Sequence, residues 1–237
     1  MFHDKYLQSF NAPNVTLIDN DGRGVVGLTE NSIVFDGQEY PVDTLVFSRS
    51  YKVSLDTSPG ARLHIKVVGP NCQLLDDKWD QGIATLHEVQ SNGFPKPVLS
   101  GAGAQAGATP NQTTMVDELA QHIAFMITEV TKGVKKDGDD PRPGNKSACT
   151  IELTVEAESA WTKRIVAGAS PFIAMSNCPP SYFNAEGELY KVAAPGPEAL
   201  DTLTRGSMWA KGHEDWLRVI QAWRTGGIRK DVRVELL

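Results

Sequence analysis

Cysteine is scarce in this sequence, and the three that occur, Cys72, Cys149 and Cys178, stand far apart with no CxxC spacing. An odd count without metal-type spacing excludes a disulfide framework and a zinc ribbon, and it leads to the expectation of a reduced, cytoplasmic chain. Basic charge is short as well: 23 Lys and Arg against 29 Asp and Glu give a net charge of −6. Such a balance cannot build the positive face that neutralises phosphates along a nucleic-acid groove. Even the densest basic run, Lys132 to Lys136, meets Asp137, Asp139 and Asp140 at once, which marks a solvated loop. Long apolar runs are missing, and none approaches the ~18 residues of a membrane span. The opening segment, "MFHDKYLQSF", has neither a basic n-region nor an apolar h-region and does not read as a signal peptide. Without a secretory signal, the glycosylation-type triplets at Asn14, Asn111 and Asn145 carry no weight. Histidines are scattered too: His3, His64, His87, His122 and His213 form no local metal or triad pattern.

What is present is ordinary globular composition, 41% apolar and 22% charged, in 237 residues. That is enough for one large domain or two small ones. The first hundred residues read as strands and turns. "NVTLID" (14–19) and "SIVFDGQEYPVDTLVFS" (32–48) are rich in β-branched residues, with a hairpin signal at Asp36-Gly37. "RLHIKVV" (62–68) alternates apolar and polar residues, "GPN" turns the chain back, and "FPKPVLS" (94–100) reads as one more short strand. Helical patterns follow. Thr109, Pro110 and Gln112 fit a capping box, after which Met115, Leu119, Ile123, Ile127 and Val130 trace an apolar stripe ending at Gly133. Further helices are expected over 155–166 and 213–223, the last with Trp216, Ile220 and Trp223 on one face and a stop at Gly226-Gly227. "DGDDPRPGNKS" (137–147) is a polar loop, and 176–191 reads as irregular.

The stretch "SGAGAQAGATPNQTTMVDELAQHIAF" (100–125) is a glycine-rich loop running into the longest helix. Gly101-Ala-Gly103-Ala-Gln-Ala106 matches G-x-G-x-x-A, yet it is not a dinucleotide fingerprint. There the helix begins inside the motif and an acidic residue closes the next strand about twenty residues on; here position 121 lies mid-helix. What the loop can do is aim a helix N-terminus, whose free amides and dipole favour negative charge. A plain strand-to-helix connection explains it equally well. Other candidates give less. Asp19-Asn-Asp21-Gly22 lacks the ligands of a calcium loop and reads as a turn, Ser207 lacks a nucleophile elbow, and His122 reads as a helix-face residue.

The order of segments carries a resemblance. "FHDKYLQSFNAPNVTLID", "VDTLVFSRSYKV", "NGFPKPVLSGAGAQAG", a helix with Gln121-His122, and the tail "CPPSYFNAEGELYK" through "WLRVIQAWRTGG" together resemble the C-terminal part of a long-type Baeyer–Villiger monooxygenase. The similarity covers nearly the whole chain. It implies a two-domain α/β flavoprotein of which this chain is a fragment truncated at the N-terminus, reading as α+β in isolation. Residues 1–50 would be the end of the NADP-domain-like segment, and 51–237 the C-terminal half of the FAD-domain-like segment. The implied cofactors are FAD and NADP, the implied substrate a small-molecule ketone of secondary metabolism. Gly101 and Gly103 would then let the backbone approach the flavin, with Thr113, Thr114 and Met115 nearest ring and substrate.

The chain departs from that family where Ala-Thr-Gly is expected and Ser48-Arg49-Ser50 stands. A repurposed Arg49 on an NADP phosphate and drift in a chain no longer turning over are both open. The dinucleotide fingerprints are missing from these 237 residues, so the isolated chain is expected to be inactive and not to retain its cofactors. It is expected to work with a protein supplying the N-terminal half, or to be a non-catalytic remnant.

Overall fold

The computed structural model describes residues 4–21, 23–47, 58–95, 104–107, 109, 111–132, 149–174, 178–179, 181, 184 and 196–236. The chain divides into two compact units, Met1–Ser50 and Tyr51–Leu237.

In the first unit a one-turn helix α1 (Tyr6–Ser9) precedes an antiparallel sheet in the order β1 (Gly27–Leu28), β2 (Ser32–Phe35), β3 (Gln38–Pro41). Asp36 and Gly37 take φ of 51° and 78° between paired Phe35 and Gln38, the two left-handed residues of a tight hairpin turn, as the Asp-Gly signal foretells. Residues 14–19 are a correction to the sequence reading. β-branched content invites a strand, but this segment has no ladder partner among the described residues and stays outside the sheet. The Asp19 turn is present, with the Asp21 amide donating to the Asp19 carboxylate at 2.9 Å.

The second unit opens with α2 (Pro59–Leu63), where alternation had suggested a strand from residue 62. Ser58 overrides the alternation: its hydroxyl accepts from the Ala61 amide at 3.0 Å, and Pro59 presets the first helical φ. Of the expected strand only a Val68–Leu74 bridge remains, leading into α3 (Leu75–Trp79). A second tight turn follows at Leu86–Gln90, with His87 and Glu88 at φ 57° and 67° and both fully buried. The expected strand at 94–100 falls mostly outside the described residues, and Phe94 and Pro95 are not in a strand.

α4 (Gln112–Lys132) is the long helix. Its buried stripe is Met115, Leu119, His122, Met126 and Val130, so the expected line through Ile123 and Ile127 is shifted by one residue, and Ile127 is 45% exposed. β4 (Cys149–Leu153) pairs antiparallel with β5 (Val232–Leu236), joining residues that sequence reading left unassigned. α5 (Val155–Ala167) is capped by Thr154, whose hydroxyl accepts from the Ala157 amide. α6 (Ser170–Ile173), α7 (Pro197–Thr204) and α8 (His213–Gly226) complete the unit. α8 runs to Gly226 and turns at Gly227 with φ 84°, as the paired glycines foretell. The core gathers α4, α5, α8 and the β4–β5 ribbon around Met115, Leu153, Trp161, Ile165, Trp216 and Ile220. A smaller cluster holds Leu75, Trp79, Ile83, Phe94 and Ala104. The architecture is α+β, and none of the helices among the described residues is long and apolar enough to cross a membrane.

Candidate functional site

The loop entering α4 is held from beneath. Gln105 is completely buried with φ 63°. Its carbonyl oxygen Oε1 accepts from the Thr85 amide (3.0 Å) and hydroxyl (2.8 Å). Its Nε2 donates to the backbone carbonyls of Ile83 (2.8 Å) and Arg205 (2.9 Å). The Gln105 amide donates to Ser207 O, and its carbonyl accepts from Trp161 Nε1 at 3.2 Å. Next to it, Ala106 O accepts from the Trp209 amide at 2.7 Å. Gly107 lies so close to α8 that a Cβ there would sit 3.0 Å from Trp216 Cβ and 3.1 Å from His213 Cα.

Five residues further on, α4 begins. Its cap is Asn111 rather than Thr109: the Asn111 carboxamide accepts from the Thr114 amide at 3.2 Å, while the Thr109 hydroxyl accepts from the Asn111 amide. The predicted box is displaced because Asn, a better cap than Thr, stands directly before the first helical residue. Gln112 and Thr113 are exposed at this end, Thr114 is half-buried, and Met115 is buried in the core at 2% exposure. The first turn of α4 holds no acidic residue, whereas α3, α5, α7 and α8 each carry Asp or Glu there. The positive end of its dipole is therefore uncompensated by the helix itself. Gly101 and Gly103 lie outside the described residues, as do Ser48, Arg49 and Ser50. Of the predicted site residues, the structure therefore brings together Thr113, Thr114 and Met115, one turn of one helix.

A second polar cluster escapes sequence reading. His87 Nδ1 and His122 Nε2 are 3.1 Å apart, and Arg224 Nε donates to His122 Nδ1 at 3.2 Å. Because Nδ1 of His122 accepts, its proton sits on Nε2 and is donated to His87 Nδ1, so the three residues form a one-way chain of hydrogen bonds. Burial, with Arg224 adding repulsion, pushes His122 down to about 3. Burial holds His87 well below the ordinary histidine value, with His122, Arg164 and Arg224 adding to it. Trp161 and Trp223 stand edge to face against His87 at 4.5 and 5.0 Å. Both imidazoles are neutral and sealed from solvent, so they brace the turn at Leu86–Gln90 against α4 and α8 and do not move protons to a substrate. His122 carried the available signal, since a stripe position between Leu119 and Met126 is a core position whatever residue fills it. Among the described residues no group of His, Cys, Asp and Glu is arranged to hold a metal.

No protein-family model matches the chain. Curated relatives do. The chain is 36% identical over 228 residues to a chermesin D/asnovolin J monooxidase of Aspergillus novofumigatus, covering 95% of this chain and 33% of the relative. It is 34% identical over 227 residues to an FAD-binding monooxygenase of Penicillium brasilianum, with 95% and 33% covered. A polycyclic ketone monooxygenase of Thermothelomyces thermophilus is 34% identical over 232 residues, with 97% and 33% covered. The solved structure of the polycyclic ketone monooxygenase from that fungus superposes with TM-score 0.79 at 33% identity, over 98% of this chain and 34% of the other. A steroid monooxygenase bound to NADP, at 18% identity and TM-score 0.60, shares the fold. The chain spans about a third of the length of the relatives it matches. By sequence and by backbone, then, the chain belongs to the family of FAD-binding, Baeyer–Villiger-type monooxygenases.

Proposed function

We propose that these 237 residues form the flavin-covering portion of an FAD- and NADPH-dependent monooxygenase that converts a small-molecule ketone of secondary metabolism to an ester or lactone. The observation that carries this reading is the match to the polycyclic ketone monooxygenase over 97% of the chain. On this reading residues 1–50 close the NADP-binding domain, and 51–237 contribute the returning half of the FAD-binding domain.

The α4 N-terminus fits an anionic flavin edge. It is exposed at Gln112 and Thr113, carries no acidic residue in its first turn, and is rigidly seated by Asn111 and by Met115 in the core. FAD, when bound, supplies the electron and oxygen transfer, with NADPH as reductant. The residues of this chain orient and stabilise: with the Thr114 amide held by the Asn111 cap, the fixed first turn at Thr113 presents the positive end of the helix dipole to negative charge on the ring. Met115 supports that turn from the core side and touches neither solvent nor an open surface.

Residues 1–237 by themselves offer contacts to the ring and no glycine fingerprint for the cofactor's pyrophosphate. A few amide hydrogen bonds net about 1 kcal/mol each, against at least ~4 kcal/mol lost on association. Binding of FAD by the isolated chain is therefore weak, and turnover requires a polypeptide that supplies the fingerprints. The test is a graft: these residues replace the corresponding third of the Thermothelomyces enzyme. A yellow chimaera that oxidises NADPH in the presence of a polycyclic ketone upholds the reading. A chimaera that folds yet stays colourless refutes it.

A further inference from the structure

Gln105 stands in the left-handed region at φ 63°, where a side chain costs more than glycine does. A glycine would reach that conformation more cheaply, so the presence of glutamine calls for a reason in its side chain. The reason is on hand. Its amide engages two acceptors and two donors, which uses both N–H groups and both lone pairs. Those partners belong to separate stretches, Ile83–Thr85 and Arg205, while the backbone of the same residue is tied to Ser207 and Trp161. Within residues 104–107 the Gln105 side chain alone can hydrogen-bond, since Ala104, Ala106 and Gly107 have none to offer.

We infer that Gln105 is a positioning residue: it fixes the peptide planes of residues 104–107 and, through them, the direction in which the first turn of α4 presents its amides to a flavin. The inference rests on the flavin-covering reading above. Gln105 is wholly buried and touches no ligand itself, so its effect is transmitted through the loop. A slack loop would leave α4 intact, because its helix is seated by Met115, Leu119 and Val130. It would alter the angle and the occupancy of the amide donors.

The experiment uses the isotope-labelled 237-residue chain titrated with flavin mononucleotide, with inorganic phosphate as control, following the backbone amide signals of Thr113 and Thr114. In the unmodified chain these two signals should shift saturably with the flavin and not with phosphate. Gln105→Glu replaces the two N–H donors with acceptors facing carbonyls. Thr85→Val removes one donor to Oε1, and serves as the measurement should the glutamate variant not fold. Each folded variant should bind flavin mononucleotide about tenfold more weakly, the cost of one unmade buried hydrogen bond. Ile220→Val, which loosens the core without removing any hydrogen bond of Gln105, should leave the affinity unmoved although it lowers the melting temperature. Variant affinities within about twofold of the unmodified chain overturn the role of Gln105 and leave the flavin reading standing. Absence of a saturable shift in the unmodified chain overturns the flavin reading itself, and the role of Gln105 with it.

Discussion

His122 occupies a stripe position that an aliphatic residue would fill without difficulty, and its imidazole is fully buried. It stays neutral in the fold because charge there is opposed by burial and by Arg224, while the unfolded chain binds a proton below about 6.5. Lowered folded values mean that the unfolded state holds more protons between about 3 and 6.5. The stability contributed by neutral His87 and His122 is thus fully present above about pH 6.5 and is lost as the pH falls below it, by up to about 1.4 kcal/mol per unit for His122. We predict a urea midpoint that drops between about pH 7 and pH 5, and a smaller drop in His122→Gln. Equal drops in both proteins would remove His122 from the acid response. Glu158 makes a different case. It accepts from Lys78 Nζ at 2.8 Å, from the Ser91 hydroxyl and from the Asn92 amide, and both partners of the ion pair are largely buried. Glu158→Ala leaves the Lys78 ammonium without its partner and should cost at least about 3 kcal/mol in chemical denaturation. A loss under about 1 kcal/mol would mean that Lys78 finds solvent instead.

Three helices begin behind a side chain with a short polar arm: Ser58 before α2, Asn111 before α4, Thr154 before α5. Asn111→Ala should therefore lower stability by about 1 kcal/mol, read as a shift in melting temperature, with Thr109→Ala nearer to neutral. The reverse ranking would restore Thr109 as the cap. Long elements were legible in the sequence, because α4, α5 and α8 each carry an apolar stripe at helical period and a stop signal. The hairpin at Asp36-Gly37 was legible from the turn chemistry of two residues. Short elements were not. Residues 14–19 have strand composition without a partner strand, and a strand exists only through its ladder. Residues 62–68 alternate, yet the Ser-Pro pair at 58–59 draws 59–63 into a helix. β4 and β5 lie about eighty residues apart in sequence, a pairing that neither segment announces. The site shows the same division. The turn at Thr113–Met115 follows from the helix start, whereas Gln105, His87 and Arg224 owe their roles to partners 20 to 102 residues away.

As a whole, the molecule is two units with unequal cores. Unit one is a small sheet whose outer strands β1 and β3 have no further strand partner among the described residues and whose residues Leu17, Val26, Val46 and Phe47 are each more than two-thirds exposed. Surfaces of that kind associate. The purified 237-residue chain should accordingly elute from size exclusion as more than a monomer, and a cooperatively unfolding monomer would argue against an unfilled interface. It should also be colourless, without a flavin absorbance band, and should not oxidise NADPH. Stoichiometric yellow colour would mean that the loop before α4 grips far more of the cofactor than its ring contacts allow.

Trp161 and Trp209 stack with ring centroids 4.9 Å apart and planes inclined by 10°. Each is also tied to the loop, Trp161 through its indole N–H to Gln105 O and Trp209 through its backbone amide to Ala106 O. Two parallel indoles at that separation share their electronic transitions, so the pair acts as an optical strain gauge glued to two consecutive peptide units. A displacement of residue 105 relative to residue 106 would shift one ring against the other and alter the exciton signal of the pair, so the seating of the loop can be followed in real time without a label.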